Sequence, residues 1–234
     1  MARRTAETHA GFFRPHLRPG MDLLDCGCGP GGISCGLAQL VAPGQFVGVD
    51  AAESQIQAAR IRAVDEGLNN VRFMTASATA LPFADASFDA VFSHALMEHL
   101  SEPEAAAREY LRVLRPGGIV GLRSPDWDGF LLSPRNPTVD AAVVAYRRMQ
   151  EQAGGDTSIG RKLGTILQTA GFVEIQMLAE YECYPDRDVI AEYLAARLDA
   201  DEPAAAMTLR TWSTEPVGLF AQTWVSAVGQ KPDA

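Results

Sequence analysis

Along the first half of the chain, short apolar runs alternate with stretches where apolar residues return every three or four positions. The runs at 23–25, 45–50, 71–75, 88–93 and 119–123 have the length of buried strands. Between them, 33–40, 54–66 and 101–114 keep a helical period, marked in the second by Ile56, Ala59, Ala63 and Val64. Gly67 is a natural stop for that helix. Ser101-Glu102-Pro103-Glu104 reads as a capping box with proline at the helix start. Residues 5–17 add a leading helix with Ala6, Ala10, Phe13 and Leu17 on one face. Strand, helix, strand at this spacing demands a parallel sheet with helices on both faces.

Beyond Ser124 the pattern loosens. Residues 140–151 and 160–170 predict helices on either side of Gly154-Gly155-Asp156, and 172–183 predicts a strand. A polar-faced helix over 186–201 and another over 204–212 precede a last strand, 220–228, with Phe220, Trp224 and Val228 on one side. The whole, 1–234, is expected to be one α/β domain with its core over 18–124. Ligands of such sheets bind at the carboxyl ends of the strands, where the strand order reverses. Gly27 to Gly29, Asp50, Ala76 to Ala78 and Ser93 fall at those ends.

The stretch Leu23-Leu24-Asp25-Cys26-Gly27-Cys28-Gly29-Pro30-Gly31-Gly32 is the centre of this arrangement. A strand that breaks into glycines and reopens as a helix brings backbone N–H groups up to a small ligand. Two ligands compete. Gly27, Gly29 and Gly32 satisfy G-x-G-x-x-G, and Asp50 stands about 20 residues on, as a dinucleotide site requires. Pro30, however, removes a donor that a pyrophosphate would want, and Asp25 puts a carboxylate beside that anion. The same Asp25 suits a ligand carrying a sulfonium and an ammonium.

Composition narrows the field. The chain has 234 residues, of which 47% are hydrophobic, enough for a full core. No apolar run approaches the roughly 20 residues of a membrane span. Met1 to Glu7 has charge but no apolar stretch behind it, so no signal peptide is expected and a cytoplasmic location is. Net charge is −9, without a basic block, which argues against a nucleic-acid partner. Cys26, Cys28 and Cys35 lack the spacing of a zinc site and read as small buried residues. His94 and His99 are five apart, about 140° round a helix, so no metal is expected there either.

Four ordered motifs carry a family resemblance: Asp25-x-Gly27-x-Gly29, Leu81-Pro82-Phe83, Ser87-Phe88-Asp89, and Leu111 to Gly118 (LRVLRPGG). Over roughly residues 20–122 the chain resembles the class I S-adenosylmethionine-dependent methyltransferases, in the small-molecule branch of the ubiquinone- and menaquinone-biosynthesis enzymes. The resemblance implies a Rossmann-like, seven-stranded sheet whose last strand inserts antiparallel, pairing 220–228 with 172–183. A variable helical segment between those strands would cover the substrate. It also implies that Gly27, Cys28 and Gly29 approach the cofactor's methionine and ribose. Asp25 would hold the turn and the ammonium, Asp50 (with Ala51) the ribose hydroxyls, and Gln55 the adenine. Ser77 stands where relatives commonly have aspartate, and the N–H of Ala78 keeps an adenine contact. Ser93 would border the site.

Methyl transfer from a sulfonium is an in-line displacement that needs mainly positioning and a dry site. A base is needed when the acceptor must lose a proton. His94, just past the fourth strand, is the candidate for that base or for a substrate contact. Trp127, between Asp126 and Asp128, would wall an acceptor or cover the core edge. Tyr181 and Tyr184 read as sheet packing and Arg161 as a surface arginine, while Glu98 reads as a surface or capping carboxylate. The expected activity is methyl transfer to a small molecule. The alternatives are a nicotinamide-dependent oxidoreductase and a module that holds S-adenosylmethionine without turnover.

Overall fold

A computed structural model describes residues 4–233. Its strands are β1 (Leu23–Cys26), β2 (Phe46–Asp50), β3 (Val71–Thr75), β4 (Phe88–His94), β5 (Leu114–Ser133), β6 (Val173–Cys183) and β7 (Leu219–Gln230). They form one seven-stranded sheet in the order β3-β2-β1-β4-β5-β7-β6. The first five run parallel. β7 lies antiparallel between β5 and β6, as the resemblance implied. The order reverses between β1 and β4, so the ligand crevice of an open sheet belongs above their carboxyl ends.

Alternation along each strand builds a core on both faces. Leu23, Phe46, Ala90 and Phe92 pack with Leu37 of α2 (Ser34–Val41) and Ile56 of α3 (Glu53–Asp65). Leu24, Val91 and Leu122 pack on the other face with Tyr110 of α4 (Pro103–Val113) and Leu167 of α6 (Leu163–Ala170). A third cluster forms where α5 (Pro137–Gln152), α7 (Arg187–Leu198) and α8 (Pro203–Ser213) meet Trp127 and Phe220. That third layer sits at the end of the sheet that carries the crevice. Among the described residues no helix is long and apolar enough to cross a membrane.

Three expectations shift. The leading helix is only α1 (Ala6–His9), which ends where Ala10 leaves helical geometry, and a 3-10 turn over Arg14–His16 with Pro15 near its start follows. α4 begins at Pro103 behind Glu102, and no side chain caps it, so the Ser101 capping box is not formed. The fifth strand continues to Ser133, far past residue 123. β7 is long enough to pair with it, through a register break between Asp126 and Leu131.

Candidate active site

Chain reversal after β1 requires positive φ at Gly27 (80°) and Gly29 (52°). The backbone N–H groups of Gly27 and Cys28 donate to the Val49 carbonyl at 2.8 and 3.0 Å, tying the turn to β2. Asp50, the last residue of β2, accepts from the Gly29 N–H through Oδ2 and from the Ala52 N–H through Oδ1, both at 3.0 Å. Each oxygen holds one N–H and keeps lone-pair capacity for a ligand. Asp25 is buried below the turn, its Oδ2 accepting from the Ser34 hydroxyl at 2.6 Å. Burial lifts its carboxyl to about 7, against the lowering effect of the Ser34 bond.

These residues border a cleft of roughly 1080 Å³, together with Gln55, Phe92, His94 and the N-terminal segment from Arg4 to Glu7. A Cβ built at Gly27 would strike Leu96 at 3.0 Å, so that glycine answers to packing. One built at Gly29 would have only Gln55 Oε1 near it, at 4.0 Å. Its positive φ already favours glycine, and the space beside it is open to a ligand resting on the turn. Of the expected cofactor residues, Asp25, Gly27, Cys28, Gly29, Asp50 and Gln55 share this cleft.

The other four do not line it. Ser93 points to the opposite face of β4 from Phe92 and His94, where its hydroxyl is buried beside Tyr110. The Ser77 hydroxyl is turned back on its own loop, 3.0 Å from that of Thr79, and Ser77 bridges to Ala80. Ala78 is half-buried in that same loop, and Ala51 is exposed beyond the end of β2.

His94 borders the cleft, but its ring is sealed into a stack. Trp224 lies parallel at 4.9 Å and His9 edge-on at 5.3 Å. Nε2 is buried with no hydrogen-bond partner among the described residues. Burial first, then Arg4, His9 and Arg123, hold the imidazole well below its ordinary pKa. Burial and a lowered pKa count against the expected role of catalytic base.

A second, smaller space of roughly 90 Å³ adjoins the cleft, and the two share Arg4, Ala95 and His99 in their walls. Trp127, Tyr146, Tyr184, Tyr193 and Trp224 enclose it, with Glu98, Gln150 and Gln222 among its polar groups. Glu98 is buried, accepts from the Ser124 hydroxyl at 2.9 Å through Oε2, and is lifted by burial to about 7. It is neither a surface nor a capping carboxylate. Its position four residues past β4, between Met97 and His99, was the available signal. Gln222 was overlooked as well, although it is the polar member of the Phe220–Gln222–Trp224 face. Trp127 is buried against Tyr146 at 4.9 Å and also walls the small chamber. Tyr184 packs on Phe220 and lines the chamber, whereas Tyr181 is exposed. Arg161 is committed: its Nε and a terminal nitrogen grip buried Asp126 at 2.6 and 2.7 Å. Among the described residues no three His, Cys, Asp or Glu side chains gather as a metal site.

Residues 24–122 match the family described as a methyltransferase domain. Over 74% of this chain and 70% of its own length, nocamycin O-methyltransferase of Saccharothrix syringae is 31% identical. The chain belongs to the class I S-adenosylmethionine-dependent methyltransferases. The YcgJ protein of Bacillus subtilis has the same fold, with a TM-score of 0.67, 22% identity, and coverage of 96% of this methyltransferase and 98% of that chain. A 37.1 kDa protein of transposon TN4556 in Streptomyces fradiae is 28% identical over 92% of this chain, which spans 59% of that relative's length. The site fits the family's cofactor. A carboxylate with free acceptor capacity at the end of β2 suits a vicinal diol, and the open side of Gly29 suits close approach of a ligand to backbone.

Proposed function

We propose that this methyltransferase moves the methyl group of S-adenosylmethionine to a small molecule held in the aromatic chamber. The observation that carries the reading is the junction of the two spaces. A large cleft floored by the glycine turn and Asp50 meets a small aromatic-lined chamber at Arg4, Ala95 and His99. Asp50 takes the ribose hydroxyls, the backbone at Gly27 to Gly29 receives the methionine part, and Asp25, fixed by Ser34, presents a carboxyl toward the ammonium. Gln55, across from Gly29, lies along the nucleoside.

When bound, S-adenosylmethionine supplies a carbon already activated by its sulfonium. The chain then has to align the acceptor, exclude water and receive any proton released. Helices α5 and α7 and the end of β7 exclude water by closing the chamber. Glu98 is the group placed to receive a proton. His94 and Trp224 form a rigid wall between the two spaces. Support for a small acceptor comes from the chamber's size and from a relative named for methylating nocamycin.

The test is release of S-adenosylhomocysteine from S-adenosylmethionine, followed by mass spectrometry, across amines, alcohols, thiols and carboxylic acids of low mass. Turnover with one of these classes, abolished in Asp50→Ala, is the expected result. A protein that binds S-adenosylhomocysteine tightly yet turns over none of them would instead be a holding module.

A further inference from the structure

The chamber is walled mainly by aromatic faces, and two of its polar groups, Glu98 and Gln222, are acceptors with spare capacity. Gln222 is buried, and its amide nitrogen donates to the carbonyls of Asp126 and Thr223, both at 3.1 Å. That pair of bonds fixes which way the amide faces. Its Oε1 is left buried with no partner among the described residues. Glu98 receives one hydroxyl hydrogen bond from Ser124, and its Oε1 stands 3.9 Å from His99 Nε2, beyond hydrogen-bond range. Trp224 Nε1, the indole donor at the wall, is likewise buried with no hydrogen-bond partner among the described residues and can receive a lone pair. Buried acceptors of this kind cost free energy until a donor reaches them.

Size and charge narrow the donor further. A cavity of about 150 Å³ takes benzene, and the chamber has roughly 90 Å³. That size favours a compact acceptor over an aromatic one. Arg4 lies over the face of Trp224 at 5.3 Å and Arg197 over that of Tyr193 at 3.6 Å. These walls accept cations, yet two fixed positive charges oppose a permanent third one. A quaternary ammonium is therefore disfavoured. A group that arrives protonated and gives its proton to a nearby carboxyl satisfies both conditions.

From this juxtaposition of Glu98, the orphaned Gln222 oxygen and the aromatic walls, we propose that the methyl acceptor is a compact aliphatic primary or secondary amine. The proposal rests on the methyltransferase reading above. Glu98 takes one proton from the bound ammonium, and an N–H that the amine keeps, one in a secondary and two in a primary amine, donates to Gln222 Oε1. The nitrogen lone pair then forms the N–CH3 bond as the S–CH3 bond breaks, its electron pair remaining on sulfur. The positive charge passes from the sulfonium to the methylated nitrogen, and the proton on Glu98 leaves to solvent. Burial keeps the Glu98 carboxyl near 7, where it can both accept and release that proton around neutrality.

The experiment uses the whole chain. Calorimetry first measures S-adenosylhomocysteine binding, and failure there overturns the methyltransferase reading and this proposal with it. The loaded protein is then titrated with dimethylamine and with propan-2-ol, and turnover of each is followed by S-adenosylhomocysteine release. The expected result is at least about tenfold tighter binding of the amine, with turnover of the amine alone. Glu98→Gln should retain S-adenosylhomocysteine affinity and leave KM within a few-fold, while kcat falls by about 10²–10⁴, the scale of a lost general base. Should that variant fail to fold, Gln222→Met is expected to weaken amine binding, and unchanged amine binding in it would overturn the assignment. Equal binding of the two probes, no detectable amine binding in a loaded protein, or turnover confined to the alcohol would overturn the amine assignment while leaving the methyltransferase reading intact.

Discussion

Asp50→Ala removes the carboxylate that organises the cofactor side of the cleft. In the free protein it strips the Gly29 and Ala52 N–H groups of acceptors at 3.0 Å. Both donors lie near the open cleft and can turn to water, so the loss of fold stability should stay at about 1 kcal/mol. In the complex the loss is larger, because a diol bound to a carboxylate makes hydrogen bonds to a charged acceptor, worth about 1.5–3 kcal/mol. That corresponds to a roughly 10- to 150-fold weaker Kd for S-adenosylhomocysteine. Asp50→Asn keeps the shape and one acceptor oxygen, so it should fall between wild type and Ala. Calorimetric titration of the three proteins, with circular dichroism to confirm folding, measures the series. An Ala variant that binds as wild type does would remove Asp50 from the site and refute the placement of the ribose.

Other outcomes follow from the same geometry. Gly29→Val places a branched side chain in a backbone conformation of φ 52° and into the open cleft; titration should detect no S-adenosylhomocysteine binding in a folded variant. Asp25 binds its proton more tightly in the folded chain, at about 7 against an ordinary 3.8. The folded state therefore holds more protons than the unfolded one between those values, and the Asp25 contribution to stability falls as pH rises through that window, by an amount on the order of 4 kcal/mol. Asp25→Asn keeps an acceptor for Ser34 and should flatten this fall, seen in urea midpoints at pH 4 and pH 7; an unchanged slope would contradict the buried carboxyl. His94→Asn removes a ring stacked on Trp224 but no proton acceptor. Its turnover should drop while the shape of the pH–rate profile stays, and loss of the acidic limb would return the base role to His94.

The strands were legible because each run of apolar residues in 23–123 had one way to be buried, between two helical layers. β3 matches its expected bounds residue for residue, and β1, β2 and β4 agree within about two residues at each end. The glycine turn was equally legible, since chain reversal imposes positive φ at Gly27 and Gly29, and Asp50 stands at the strand end where it was expected. What depended on side-chain direction was harder to read. Ser93 and His94 are neighbours on one strand, yet the pleat sends them to opposite faces, one toward Tyr110 and one toward the cleft. The chamber was hidden for a different reason. Glu98, Trp127, Tyr146, Tyr193 and Gln222 come from five separate segments brought together by tertiary packing, and no local period announces such a meeting. The length of β5 was hidden too, because it is fixed by pairing with β7, almost a hundred residues away in sequence at Asp126 and Thr223.

The central claim, that the glycine turn and Asp50 receive S-adenosylmethionine and not a nicotinamide dinucleotide, is tested most directly by ligand-dependent unfolding. S-adenosylhomocysteine, NAD and NADP are each added to the intact chain at matched concentrations, and Tm is recorded. A ligand present at about 100 times its Kd stabilises the native state by about 2.7 kcal/mol. The account predicts a rise in Tm with S-adenosylhomocysteine that is lost in Asp50→Ala, and none with either dinucleotide. Stabilisation by NAD or NADP with no response to S-adenosylhomocysteine would contradict it.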